Sequence, residues 1–363
     1  MTPLTLGFMP LTDCVPLVVA KHLGFFEKWG LDVTLCRQNS WATLRDKLHA
    51  NLIDGAHMLA PMPFASALGL GGQAVDVVTP FVLSRQGNGI TLSNHVFEEC
   101  VGKHTAGIEY SLPLPASRLA RLIDDRAQIG KKLTFATVFP YSCHFYQLRS
   151  WLAQYHIPID AVNVIVVPPS KMVDAMKRGD IDGFCVGSPW NAQAVRSGIG
   201  VTAVTSCDIW PAMPEKVLGL KRTWGEENEA SVVALIGALR EACAWLVPLP
   251  NRFEAARMLS DKAYLDTQLD VLTPSLLGSC LTQVGQNPRS VPLYNLFGQE
   301  NGTHDNCPSI SQGEWVLNQM ISAGHVKEDV RSQSFIASVF REDIYHCAVN
   351  AQTMHPKSEE ISV

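Results

Sequence analysis

Apolar and polar positions alternate in short blocks along this chain, and one arrangement of blocks occurs twice. The first copy runs from a strand-like stretch, Leu31-Asp-Val-Thr-Leu-Cys36, through a helix-like stretch, Trp41 to Leu48, into a second short strand that opens on Ile53-Asp54-Gly55. The second copy has a strand at 162–167, a helix at 172–177 and a strand that opens on Ile181-Asp182-Gly183. Pro61 and Pro189 each follow the aspartate of their copy by seven residues. Stacked repeats recur many times at a fixed period, whereas two distant copies predict two similar lobes. A cleft between two α/β lobes is where small ligands bind.

The remaining elements follow from periodicity and stop signals. Leu4 to Met9 reads as a buried strand, and one helix is expected from Cys14 to Trp29, capped by Thr12 or Asp13 and stopped by Gly30. Ser40 caps the helix that begins at Trp41. A helix at 61–68 and strands at 75–81 and 89–92 follow, with Gly87-Asn88-Gly89 as a turn between the strands. The polar stretch 94–114 reads as the crossing into a second lobe, built from helix 116–129, strand 132–138, helix 142–156, the second repeat copy, helix 190–197 and strand 198–205. A strand at 217–220 rejoins the first sheet. Beyond 227 the pattern is helical, at 229–246, 252–260, 264–272, 274–280, 311–323 and 333–338, with irregular stretches at 294–297 and 302–307 and a frayed polar tail from Met354. Strands alternating with helices predict an α/β fold in which each lobe is a mostly parallel sheet flanked by helices. Residues 1–95 and 206–363 are assigned to lobe 1, and 96–205 to lobe 2.

Composition narrows the function classes. With 47% hydrophobic and 17% charged residues, the 363-residue chain can bury a large core. A net charge of -5 and the lack of a Lys/Arg run argue against direct nucleic-acid binding. No run of about 18 apolar residues is present to span a membrane. The first residues show no basic segment, apolar core or cleavage site of a secretory leader. Ten scattered cysteines, none at Cys-x-x-Cys spacing, fit buried free thiols better than a disulfide framework. Together these features lead to the expectation of a cytoplasmic protein.

The loops after the strands hold Thr12, Asp13, Trp41, His57, Asn88, His144, Gly187, Ser188, Trp190 and Lys216. The set is mostly polar and uncharged, with one lysine, and it suits a small anion near helix N-termini. Taken singly, each residue has a structural reading as well. Trp41 packs inward at a helix start, and His57 is a core histidine behind an apolar strand. Asn88 is a turn residue, Lys216 a surface lysine and Trp190 a helix staple. His144, in a polar turn at a helix start, is open between the two readings. No metal-binding, P-loop or Gly-x-Ser-x-Gly pattern is present. His304 and Cys307 are close, but no second pair completes a zinc site. No pair of carboxylates stands out for acid–base work. The expectation is therefore a binding protein without catalysis, metal or cofactor.

Several longer runs carry a resemblance. Phe8-Met-Pro-Leu-Thr-Asp-Cys14, Ser40-Trp-Ala-Thr-Leu-Arg-Asp-Lys47, Asp54-Gly-Ala-His-Met-Leu-Ala-Pro61, Phe184-Cys-Val-Gly-Ser-Pro-Trp-Asn-Ala192 and Pro214-Glu-Lys-Val-Leu-Gly219 resemble, in order, the nitrate- and bicarbonate-binding proteins of the NrtA/CmpA type. The likeness extends from about Leu4 to about Val326. It implies a two-lobed type II periplasmic-binding-protein fold whose cleft holds nitrate or nitrite through Trp41, Asn88, His144, Gly187 and Lys216. Asn88 stands where relatives often show Gln, and Ser188 where they often show Glu. Bicarbonate-binding relatives place an acid at the Lys216 position and recruit calcium, so Lys216 implies a monoanion bound without metal. With no leader and many thiols, the chain is most similar to the cytoplasmic nitrate/nitrite sensor NasS, which pairs with an RNA-binding antitermination protein of the NasT type. The alternative that the resemblance implies is the solute-binding subunit of an ATP-driven nitrate/nitrite transporter. Pyrimidine-precursor synthases share the fold, but their cysteine-rich motif and active-site lysine and histidine are not found here.

Overall fold

The computed structural model describes residues 1–102, 112–298 and 306–354. Ten of its strands are β1 (Thr2–Phe8), β2 (Leu31–Arg37), β3 (Gly55–Leu59), β4 (Val77–Gln86), β5 (Asn88–Ser93), β6 (Thr134–Thr137), β7 (Asn163–Val166), β8 (Gly183–Gly187), β9 (Gly200–Thr205) and β10 (Pro214–Lys221). Three two-residue strands follow: β11 (Ser279–Cys280), β12 (Arg289–Ser290) and β13 (Asn295–Leu296). The first sheet has the order β13-β4-β10-β3-β1-β2 and the second β7-β6-β8-β5-β9, while β11 and β12 form a small ribbon.

Each sheet is parallel through its repeat half and antiparallel where the crossing strands enter. β1 pairs in parallel with β2 and β3, and β6 with β7 and β8. β10 runs against β3 and β4, and β5 against β8 and β9.

The repeated Ile-Asp-Gly has the same physical cause in both lobes. Asp54 Oδ2 accepts the backbone N–H of Thr5 at 2.7 Å, and the Asp54 N–H returns a bond to the Thr5 carbonyl at 2.8 Å. Asp182 repeats the pattern on Thr134, with both distances 2.7 Å. The aspartate thus ties the incoming strand to its parallel neighbour at its first residue. The glycine after it lets the neighbouring core approach. A Cβ on Gly55 would sit 2.8 Å from Leu6 Cδ2, and one on Gly183 would sit 2.7 Å from the Phe135 ring.

Several expectations are corrected. β5 belongs to the second sheet, so the first crossing lies at Gly87, between β4 and β5, not beyond residue 95. Asn88 is the first residue of β5 and pairs with Gly187, so it is a strand residue, not a turn residue. Gln86 and Gly87 carry the change of direction, with φ of 61° and 95°. The expected helix 14–29 is two, Val15–His22 and Phe25–Lys28, broken at Gly24, whose φ is 71°. The helices expected at 264–272 and 274–280 are one shorter helix, Leu269–Leu276, with Pro274 inside it. The final helix, Glu342–Met354, has no counterpart among the expected elements. The stretch read as a crossing at 94–114 begins with the helix Asn94–Val101, and 103–111 lie outside the described residues. So do His304, most of the irregular stretch 302–307 and the tail beyond Met354.

The C-terminal half does not stay with the first lobe. Helices Glu229–Trp245 and Leu249–Leu259 do bury their apolar faces against the first sheet, with Leu235, Leu239, Ala255 and Leu259 fully covered. The segment at 282, however, extends the second sheet through Thr202 N–H to the Thr282 carbonyl at 2.9 Å. Helix Ile310–Ser322 grips the second lobe's helix Cys143–Ala153. Arg149 Nη1 donates to Ser322 Oγ at 3.0 Å, and Tyr146 Oη lies 3.0 Å from His325 Nδ1. One hydrophobic cluster contains Ala56 and Val217 of the first sheet, Ala136 and Phe184 of the second, and Val316 and Leu317 of the gripping helix. The lobes are closed on each other. Among the described residues no single helix is long and apolar enough to cross a membrane.

Asp182→Ala removes a partly buried acceptor while leaving the Thr134 N–H in place. An orphaned donor of this kind costs about 1–3 kcal/mol. The expected result in urea unfolding is an unfolding free energy lowered by that amount with an unchanged slope; no change would show that the repeated aspartate is dispensable.

Candidate functional site

The carboxyl edges of the parallel strands in both sheets meet where the lobes close, which is where open α/β sheets take ligands. Seven side chains and one glycine converge there. The turn after β1 gives Asp13, the helix Trp41–His49 gives Trp41 at its first residue, and β3 gives His57. From the second lobe come Asn88 at the start of β5, Gly187 at the end of β8 and His144 at the second residue of helix Cys143–Ala153. β10, which crosses back, gives Glu215 and Lys216. Ser40 and Ser142 cap the two helices, each accepting a backbone N–H at 3.1 Å, and so fix where Trp41 and His144 emerge.

Lys216 is the centre of this cluster and is fully buried, contrary to its reading as a surface lysine. Its Nζ lies 2.7 Å from Asp13 Oδ2 and 2.9 Å from Glu215 Oε1. It also lies 5.8 Å from the centroid of the Trp41 ring. Asp13 continues the network, with its Oδ1 3.0 Å from His57 Nε2. His57 is therefore held by the cluster and is not a plain core histidine. The sequence reading saw no paired carboxylates, yet two flank one ammonium here. Asp13 and Glu215 were missed as a pair because 202 residues separate them; their only local signal is that Glu215 adjoins Lys216.

Environment separates the two acids. Burial pushes the Asp13 carboxyl up, but the Lys216 charge and the His57 contact outweigh it and hold the pKa at about 2. Burial wins at Glu215, raising its pKa even though Lys216 and the Asn88 amide pull it down. Burial first, and then the Lys216 charge, push His144 well below its ordinary range. Burial also lowers His57, against the pull of Asp13. At neutral pH Asp13 is ionised and both imidazoles are neutral. Lys216 stays charged, because the two carboxylates more than offset the burial that would discharge it.

The donors available to an anion follow. An ammonium has three N–H groups, and two of those on Lys216 face carboxylates. Trp41 Nε1 and both ring nitrogens of His144 are buried without a hydrogen-bond partner. Buried polar groups are almost always paired, and of these nitrogens Trp41 Nε1 and the one protonated nitrogen of the neutral His144 ring are donors left open to a polar guest. Asn88 differs from the expectation. Its Nδ2 donates to Gln147 Oε1 at 2.9 Å, while its Oδ1 is buried without a hydrogen-bond partner. At Gly187 a Cβ would meet Asn88 Oδ1 at 3.3 Å and Asp13 Oδ2 at 3.4 Å. Its value to the site is the missing side chain. The lobes are pinned beside it by the Thr12 N–H, which donates to the Ser188 carbonyl at 2.8 Å.

Cys143 and Cys185 border the site as neutral thiols, since burial and the nearby Glu215 charge raise both well above the ordinary range. Away from the site, Cys307, Glu342 and His346 could hold a metal ion, with ligand atoms within 4.8 Å of one another. Glu342 and His346 are already an i,i+4 pair at 3.5 Å.

The sequence profile of the NMT1-like family matches residues 1–260. The chain belongs to the NMT1-like family. Within reach of that family are two cyanobacterial relatives. The nitrate import ATP-binding protein NrtC of Synechocystis sp. is 38% identical over 94% of this chain and 49% of its own length. The nitrate/nitrite binding protein NrtA of Synechococcus elongatus is 32% identical over 96% of this chain and 77% of its own length. The chain thus spans about half of NrtC. Among solved structures, the periplasmic nitrate-binding protein NrtA of Synechocystis PCC 6803 superposes with a TM-score of 0.87 at 29% identity, covering 99% of this chain and 92% of that one. The two-lobed periplasmic-binding-protein architecture and the NrtA likeness expected from the sequence are both found.

Removing one member of a buried ion cluster leaves the others uncompensated, which costs about 3–5 kcal/mol. Lys216→Met is therefore expected to lower stability by that amount, and Lys216→Met combined with Asp13→Asn to recover part of it, measured by chemical unfolding. Additive losses would show that the two groups do not interact.

Stability also depends on pH through these groups. Asp13 has a depressed pKa, so its contribution is present above about pH 4 and is lost as pH falls toward 2. His144 protonates near pH 6.5 when unfolded but not when folded. Below about 6.5 the unfolded state takes up the extra proton, and stability falls with pH. Glu215 acts in the opposite sense, because its raised pKa gives stability that fades as pH rises through its folded value. His144→Gln is expected to flatten the loss of thermal midpoint between pH 6.5 and 5; an unaltered slope would place the responsible proton elsewhere.

Proposed function

We propose that this protein binds nitrate, with nitrite as a competitor, in the closed site between its lobes. The observation that carries this reading is the buried Lys216 ammonium beside the unpartnered Trp41 and His144 nitrogens. Nitrate is planar, monovalent and weakly hydrated, so its desolvation is cheap for an anion. It needs one nearby cation and a few donors, and it accepts bonds without donating any. Lys216 supplies the cation from the chain itself. The names of NrtA and NrtC support the same ligand.

We further propose that binding serves sensing in the cytoplasm, through an RNA-binding antitermination partner of the NasT type. All ten cysteines are free, and seven of them are buried, which suits a reducing compartment. In this reading the anion favours the closed lobes and the partner favours open ones, so each ligand weakens the other by the same factor. The second reading is the solute-binding part of an ATP-driven nitrate/nitrite transporter. The relatives named for nitrate import favour it, and the chain would then work as one portion of a longer assembly.

Calorimetric titration separates the ligands. The expected outcome is heat with nitrate and nitrite in the absence of metal, and loss of that response in Lys216→Glu. A wild-type response to bicarbonate with calcium alone would sink the nitrate reading. For the two roles, the sensor predicts a complex with the antitermination partner at zero nitrate that dissociates as nitrate is added; failure of that complex to form supports the transporter.

A further inference from the structure

Counting charges in the closed site raises a difficulty that Lys216 alone does not resolve. One ammonium lies between two carboxylates, at 2.7 Å and 2.9 Å, and all three groups are between 0% and 2% exposed. With both acids ionised and both imidazoles neutral, the cluster carries one net negative charge before any guest arrives. A monovalent anion would then enter a sealed space of its own sign. Like charges brought close together away from water repel each other even at the moderate effective dielectric of a protein. Neither His57 nor His144 is placed to cancel the extra charge cheaply. Burial holds His57 below its ordinary range even though Asp13, 3.0 Å away, favours a proton there, and burial and Lys216 together oppose a proton on His144.

We propose that Glu215 adapts this site to an anion by carrying a proton whenever the guest is bound, so that one proton from solvent enters with each anion. The proton goes to the Glu215 carboxylate, and no bond of the anion is made or broken. The bound site then holds Lys216 positive, Asp13 negative and Glu215 neutral, and the guest adds the only further charge. Glu215 is the acid that can change state. Asp13 is locked ionised between Lys216 and His57, while Glu215 shares Lys216 with Asp13 and is disfavoured as an anion by its burial. The groups that face Glu215 come from five elements: Lys216 on its own strand, Asp13 after β1, Asn88 on β5, Cys143 with His144 on the helix opposite, and Cys185 on β8. His144 Nδ1 stands 3.8 Å from Glu215 Oε1, too far for a hydrogen bond and near enough to feel its charge. Cys185 on β8 feels the same carboxylate.

This inference rests on the nitrate reading, and the test keeps the two apart. Nitrate is titrated calorimetrically into the full chain from pH 6 to 9 in two buffers of different ionisation enthalpy, phosphate and Tris. The difference in observed heat between buffers counts protons taken up. The expected result is an uptake that approaches one proton per nitrate as pH rises, with affinity falling ever more steeply, toward about tenfold per pH unit where the uptake is complete. Glu215→Gln, which keeps the shape and cannot ionise, is expected to remove both the uptake and the pH dependence. Nitrate binding by the wild type with equal heats in the two buffers at every pH overturns the proposal and leaves the nitrate reading standing. Uptake that persists in Glu215→Gln overturns it as well, by assigning the proton to another group. Absence of any nitrate heat at every pH overturns the nitrate reading itself.

Discussion

A buried ammonium held between two carboxylates governs how this molecule is put together. Lys216 comes from the strand that crosses back into the first sheet, Asp13 from the turn after the first strand, and Glu215 from the residue next to Lys216. Ions taken out of water are tolerated only where partners satisfy them. The cluster therefore demands that β1, β3 and β10 keep their register, because a slip of one residue would turn Lys216 to the opposite face of its sheet. The paired registers Lys216 with Leu59 and Leu218 with His57 place the lysine and the histidine on the same side.

The second constraint is closure. The two sheets do not merely face each other across a cleft, since residues of both contribute to one hydrophobic cluster together with helix Ile310–Ser322. That helix comes from the far end of the chain and reaches the second lobe through Arg149 and His325. Opening the lobes must separate these contacts as well as the polar ones near Ser188. A ligand that adds attractive contacts between Lys216, Trp41 and His144 works in the same direction as this apolar clamp, which is how a small anion can shift a two-lobed protein between forms.

The site also shows how one environment divides similar groups. Asp13 and Glu215 touch the same ammonium, yet Asp13 has a second partner in His57 and stays ionised, while Glu215 is left nearer to neutrality. Two acids beside one fixed cation are thus driven apart in titration by their surroundings alone.

Much of the architecture was legible in the chain alone, for local reasons. The repeated Ile-Asp-Gly announced two lobes because the aspartate bonds a neighbouring strand's backbone and the glycine admits a neighbouring side chain, and both needs recur wherever that strand pair is built. Ser40 and Ser142 marked the helix starts that present Trp41 and His144, because capping is decided within four residues. Trp41, His144, Gly187 and Lys216 were named from loops and from likeness to known proteins, and the fold gathers them. What the chain alone did not reveal lies at long range. Asn88 looked like a turn residue because glycines flank it, and only strand pairing with Gly187 makes it part of a sheet. The helix Glu342–Met354 and the grip of the C-terminal segment on the second lobe depend on contacts that no window of neighbouring residues contains. Asp13 and Glu215 carry no shared motif. Their effect on Lys216 exists only once the sheet brings the turn after β1 and the strand β10 together across β3 and water is excluded, because Coulomb forces act through space and dielectric, and neither is written along the chain.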